Sequence, residues 1–117
     1  MKIDYDLVRT ILHKLEERHL SEEGDPLAVE GYDDDTVTYH VRYLNQGRLV
    51  EAVDLSSHSG IDWRPLQMTY AGHEFLQAMR SDTVWQKAKE RVLAATGTLS
   101  LDALKVVVGK ILTDLVG

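Results

Sequence analysis

The sequence predicts an α+β domain in which helices flank one two-stranded hairpin, and three observations predict it. Apolar residues recur at three- and four-residue spacing in five separate stretches, the period that places them on one stripe of a helix. Between the second and third of these, Leu49 to Leu55 alternates apolar with acidic or small residues, the period of a half-buried strand. With 117 residues, 44% of them hydrophobic, the chain has the size and composition to close one core, so a single domain over 1–117 is expected.

The first helix is expected from Asp4 to His19, with Leu7, Val8, Ile11, Leu12 and Leu15 inward. Asp4 or Asp6 can cap its start, and Arg18 and His19 stand at its electronegative end. Ser21 to Pro26 is turn chemistry, and Leu27 to Gly31 reads as a short strand. Asp33, Asp34 and Asp35 then load negative charge where a helix start favours it. Val37, His40, Val41 and Leu44 carry the helical period on to Gln46, and Gly47 is expected as a left-handed cap.

The strand from Leu49 to Leu55 finds its partner in Trp63 to Tyr70, with Leu66, Met68 and Tyr70 on one face and Ser56 to Gly60 as the tip. Thr69 caps a helix from Tyr70 to Arg80. Ser81 or Asp82 starts the next, with Val84, Trp85, Ala88, Val92, Leu93 and Ala95 inward, until Thr96 and Gly97 stop it. A last helix begins near Ser100 to Asp102 and carries the stripe Leu101, Leu104, Val108, Ile111, Leu112 and Leu115. Residues 1–80 would form the core of the fold and 81–117 a C-terminal helical extension.

Thirteen basic residues against nineteen acidic ones leave a formal charge of −6, which argues against gripping nucleic acid by bulk electrostatics. The imbalance is local. Residues 21–55 hold nine acids against Arg42 and Arg48, whereas residues 80–117 hold six bases against four acids. The absence of cysteine excludes a disulfide scaffold, a thiolate metal site and a cysteine nucleophile, and it suits the reducing cytoplasm. No apolar run approaches the length of a membrane helix, and Met1 to Asp6 has no signal-peptide character.

No enzyme signature stands out. His13 and His19 are six apart, His40 is isolated, and His58 with Asp62 lacks a third ligand, so no metal site is expected. Ser57-His58-Ser59 has no orienting acid, and there is no phosphate loop and no zinc-protease motif. A catalytic residue and a cofactor are therefore not expected. His73, beside Glu74, reads as a residue that stabilises a helix junction by hydrogen bonding.

The order helix, short strand, helix, glycine turn, hairpin, helix is that of a winged helix-turn-helix in which the hairpin is the wing. Asp35 to Val50 resembles the recognition helix and the start of the wing in bacterial winged-helix regulators. One feature departs from that pattern: Leu27 to Gly31 leaves no room for a support helix of normal length. On this reading Thr36, Thr38, Tyr39, Arg42, Tyr43 and Gln46 would face a major groove, with Arg42 suited to guanine and Gln46 to adenine. His58 and Arg64 of the wing would reach the DNA backbone, although the tip is poor in basic residues.

A second reading makes the chain a protein-interaction adaptor that uses either the acidic segment 22–54, docking a basic partner, or the C-terminal helix. The C-terminal helix adds a candidate homodimer seam at Leu104, Val107, Val108, Ile111 and Leu115. Trp85 falls on an apolar stripe and reads as core, and Trp63, beside Arg64, is the aromatic to watch on the wing.

A wider resemblance joins several pieces. These are Met1-Lys2, Asp4, Asp6-Leu7, Arg9 and Ile11-Leu12, then Glu30-Gly31-Tyr32 with Tyr39-His40, then Thr69, Ala71-Gly72-His73-Glu74-Phe75-Leu76, and Asp82, Trp85, Lys87 and Lys89. Together they resemble the domain of unknown function 2513 family of bacteria and their phages. The resemblance implies a winged-helix-like fold and a bacterial or phage origin, and it supplies no catalytic residue.

Overall fold

The computed structural model describes residues 1–18 and 24–116. It contains five helices and one antiparallel hairpin, in the order α1 (Tyr5–Glu17), α2 (Asp34–Gln46), β1 (Val50–Asp54), β2 (Trp63–Met68), α3 (Tyr70–Ala78), α4 (Asp82–Thr96) and α5 (Leu101–Val116). This α+β arrangement is consistent with a winged-helix-like fold followed by C-terminal helices. The expectations for His19, Ser21, Glu22 and Glu23 lie outside the described residues. Two compact units divide the chain, Met1–His73 and Glu74–Gly117, with the division falling inside α3.

In the first unit, Asp4 rather than Asp6 caps α1, accepting the N–H groups of Asp6 at 3.0 Å and Leu7 at 3.1 Å. The inward stripe Leu7, Val8, Ile11, Leu12 and Leu15 is buried. Asp33 caps α2 through the Thr36 N–H at 2.7 Å, and Val37, Val41 and Leu44 face the core. α2 packs against α1 and against both strands, so it is the element around which this unit closes.

A buried histidine joins the two helix starts. His40 is 0% exposed; its Nε2 accepts the Asp4 N–H at 2.9 Å and its Nδ1 lies 2.8 Å from the Thr36 carbonyl oxygen. A carbonyl only accepts and an amide N–H only donates, so this ring is the neutral tautomer with its proton on Nδ1. The Asp4 carboxylate takes a further bond from the Tyr32 hydroxyl at 2.7 Å, which ties the 29–32 turn into the same junction. The bond to a carboxylate holds the Tyr32 hydroxyl above its ordinary pKa and keeps it a donor.

Several expectations need correction. Leu27 to Gly31 forms no strand: Tyr32 N–H bonds Val29 O at 3.2 Å and Gly31 takes φ +88, so the chain turns before any strand can pair with it. Gly47 is right-handed at φ −79, and the left-handed residue is Arg48 at φ 63. Thr69 braces that turn, its hydroxyl donating to Arg48 O at 2.6 Å and its N–H to Leu49 O at 3.0 Å.

The hairpin pairs Val50 with Met68 and Glu51 with Gln67, then Ala52 with Pro65, so Leu66 is an extra residue in β2. This bulge breaks the alternation, and the buried residues are Pro65 and Met68 in place of a Leu66–Met68–Tyr70 face. Tyr70 belongs to α3 and is 81% exposed. The tip closes as a tight turn in which Ser57 and Gly60 exchange backbone bonds around His58 and Ser59.

His73, expected at a junction, is exposed, and its neighbour Gly72 makes the close contact. A Cβ on Gly72 would stand 2.1 Å from Leu49 O. Thr69 Oγ1 caps this helix by accepting the Gly72 N–H at 3.1 Å, and the helix ends at Ala78, short of the expected Arg80.

In the second unit Ser81 caps α4, Gly97 closes it in the left-handed region, and the Ser100 hydroxyl accepts the Ala103 N–H at the start of α5. α4 packs against α5, with Val84, Trp85, Ala88 and Val92 buried on one and Leu101, Leu104, Val108 and Ile111 on the other. Leu93 and Ala95 were expected inward and are exposed, because they lie off the Val84–Ala88–Val92 line of the helix. Leu112 is half-buried and Leu115 is exposed in the last turn. Among the described residues, no helix is long and apolar enough to cross a membrane.

Two substitutions test this packing by urea unfolding. His40→Leu leaves the Asp4 N–H without its acceptor in the interior and should lower stability by about 2 kcal/mol. Gly72→Ala forces a methyl against backbone and should lower it by about 3 kcal/mol, whereas Gly109→Ala in α5, with nothing within 4 Å of the new Cβ, should raise it by roughly 1 kcal/mol.

Candidate functional site

The face on which the sequence placed DNA contacts is partly consumed by the fold. Thr38 is buried: its hydroxyl donates to Trp63 O at 3.1 Å and accepts the Trp63 N–H in a short bond, so it couples α2 to β2 and does not point outward. Thr36 bonds the Asp33 carboxylate through both its hydroxyl and its N–H, which pulls that carboxyl below the ordinary range and keeps it charged at the helix start. Tyr43 shares a hydroxyl bond of 3.1 Å with Tyr5 in an edge-to-face pair, and burial foremost, with that bond, pushes the Tyr5 hydroxyl up.

Three of the α2 candidates remain on one outward stripe. The Arg42 guanidinium stacks over the Tyr39 ring at 5.7 Å, and Gln46 is exposed one turn further on. Asp54 on the wing is held below the ordinary carboxylate range by its bonds from Ser56 and, less strongly, by the Arg42 charge.

On the wing, His58 is exposed at the tip, and Arg64 is engaged within the protein. Its guanidinium donates to Asp62 at 2.9 and 3.2 Å and reaches Gly24 O at 3.4 Å. Asp62 and Arg64 edge a cleft of about 540 Å³ between Pro26–Ala28, the start of α2 and the wing. Leu27, Ile61 and Trp63 give it apolar surface, and Asp34, Asp62 and Arg64 give it charge. Sequence reasoning did not find this cleft, because its walls come from three separated segments and no local motif marks them.

The electrostatics of this unit are acidic. Residues 1–73 carry seven basic and fourteen acidic side chains. Among the described residues, Glu30, Asp34 and Asp35 are exposed and have no basic partner. At the start of α2 they complement the helix dipole, and they also repel a phosphate brought to that end.

Of the dimer candidates, Leu104, Val108 and Ile111 are buried within the chain; Val107 is half-buried and Leu115 is 69% exposed. Three of the five are therefore unavailable to a twin. Among the described residues, no group of three histidine or carboxylate side chains is placed to hold a metal ion.

Because Thr38 is the strut between α2 and the wing, Thr38→Val should lower stability by about 1–3 kcal/mol and shift the Trp63 amide resonance, while Thr38→Ser, which keeps the hydroxyl, should restore most of both in urea unfolding and NMR.

An uncharacterised protein of Haemophilus influenzae (strain ATCC 51907 / DSM 11121 / KW20 / Rd) is 38% identical over 118 residues, covering 98% of this chain and 98% of that one. No solved structure matches the chain. The family described as "Hypothetical protein (DUF2513)" matches residues 2–98, and the chain belongs to that family.

Proposed function

We propose that the chain is a non-enzymatic cytoplasmic binding domain whose acidic first unit docks a basic surface of a protein partner. The observation that carries this reading is the run of exposed carboxylates, Glu30, Asp34 and Asp35, left without basic partners beside the outward face of α2. Unneutralised charge on an ordered helix start attracts and orients an oppositely charged partner, and it rejects nucleic acid at the same place.

Duplex DNA is the second reading, favoured by the Tyr39–Arg42–Gln46 stripe on the helix that precedes the wing. In that case the chain is a transcriptional regulator that reads bases with Arg42 and Gln46. Charge weighs against it, since the helix start that would enter the groove is acidic and the wing tip offers no lysine or arginine.

One paired experiment separates the two. The immobilised chain is presented with the proteins of a related bacterium and, in parallel, with random duplex DNA, both at near-physiological salt. The adaptor reading expects a basic partner whose affinity falls at least tenfold on Asp34→Lys with Asp35→Lys and falls with added salt, and no enriched duplex. An enriched duplex motif that Arg42→Ala abolishes, with no charge-sensitive protein partner, would replace it with the DNA reading.

A further inference from the structure

We infer that the cleft between Pro26–Ala28, the start of α2 and the wing receives one arginine or lysine side chain from an extended segment of a protein partner. The inference rests on the adaptor reading and names the site and the chemistry within it. About 540 Å³ is room for a side chain with its flanking backbone, within the usual range of binding clefts.

The lining suits a long amphipathic cation. Leu27, Ile61 and Trp63 offer apolar surface for an aliphatic stem. Small residues, Ser57, Ser59 and Gly60, leave the wing side open.

Charge selects the sign. Asp34 has no basic partner among the described residues, while Asp62 is held by Arg64 at 2.9 Å. Two carboxylates against one guanidinium leave the cleft one negative charge, which one incoming cation neutralises. An anion would meet both carboxylates and an arginine already engaged, and the nearby helix start already has the Asp33 carboxylate as its cap. The site is also held in shape, because Thr38 fixes the Trp63 backbone at both its N–H and its carbonyl.

The test is an NMR titration of the intact ¹⁵N-labelled chain with an acetylated tetra-arginine peptide, and with tetra-glutamate as control. We expect saturable shifts at the Trp63 indole N–H and the amides of Ser57, Ser59 and Ile61 with the basic peptide alone. Asp34→Lys should weaken binding at least tenfold. Glu90→Lys, the same charge reversal at an exposed position of α4 outside the lining, should change it less than threefold and serves as the control for net charge.

Equal loss in both variants, or shifts that never saturate, would overturn the cleft in favour of diffuse attraction. Saturable shifts centred on Asp35, Tyr39 and Arg42 would overturn the cleft and leave the acidic-face reading standing. No shift anywhere, with no charge-sensitive protein partner, would remove both.

Discussion

His40 is fully buried, so each of its ring nitrogens needs a partner inside the protein, and the partners it finds are the N–H of Asp4 and the carbonyl of Thr36. That requirement fixes the start of α1 against the first turns of α2. Asp4 extends the constraint, since one of its carboxylate oxygens caps α1 and the other receives Tyr32 from the turn before α2. Three chain segments are thus held by one histidine and one aspartate. The apolar stripes of the two helices would pack over a range of angles, and directional bonds in a dry setting select one.

From α2 the order passes to the wing through a second polar strut. Thr38 holds both backbone groups of Trp63, and Thr69 braces the left-handed Arg48 between α2 and β1. Gly72 completes the arrangement by letting α3 approach the Leu49 carbonyl closely. Much of the face of α2 is therefore built into the scaffold. What it leaves free is the stacked pair Tyr39 and Arg42, Gln46, and the acidic helix start.

The helices were legible in the sequence because burial on one side of a helix imposes its period directly, and caps such as Asp4, Asp33, Ser81 and Gly97 are local chemistry. The features that escaped reading depend on other segments. Leu27 to Gly31 has strand composition, but a strand exists only with a neighbour to bond. The Leu66 bulge and the left-handed Arg48 follow from register and tertiary bracing. Thr38 and His40 sit on the same helix with ordinary spacing, and nothing local distinguishes a hydroxyl that will face solvent from one that will hold a strand. The resemblance to the family did name Asp4, Tyr32 and His40, which the structure brings together as a folding junction.

That convergence bears on what kind of protein this is. Residues that carry a family likeness often line a site, yet Asp4, Tyr32, His40 and Gly72 have structural tasks, each visible as a bond or a close contact. At these positions the family likeness describes a scaffold, and the proposed adaptor role places binding in the surface that the scaffold presents. On the first unit that surface is carboxylate-rich at the start of α2 and apolar-walled beside it, with its one wing arginine turned inward to Asp62. A surface built to grip phosphates would place that arginine at the tip and keep carboxylates away from the helix start. Here both choices run the other way, and capping alone does not require the further carboxylates, since Asp33 caps the helix.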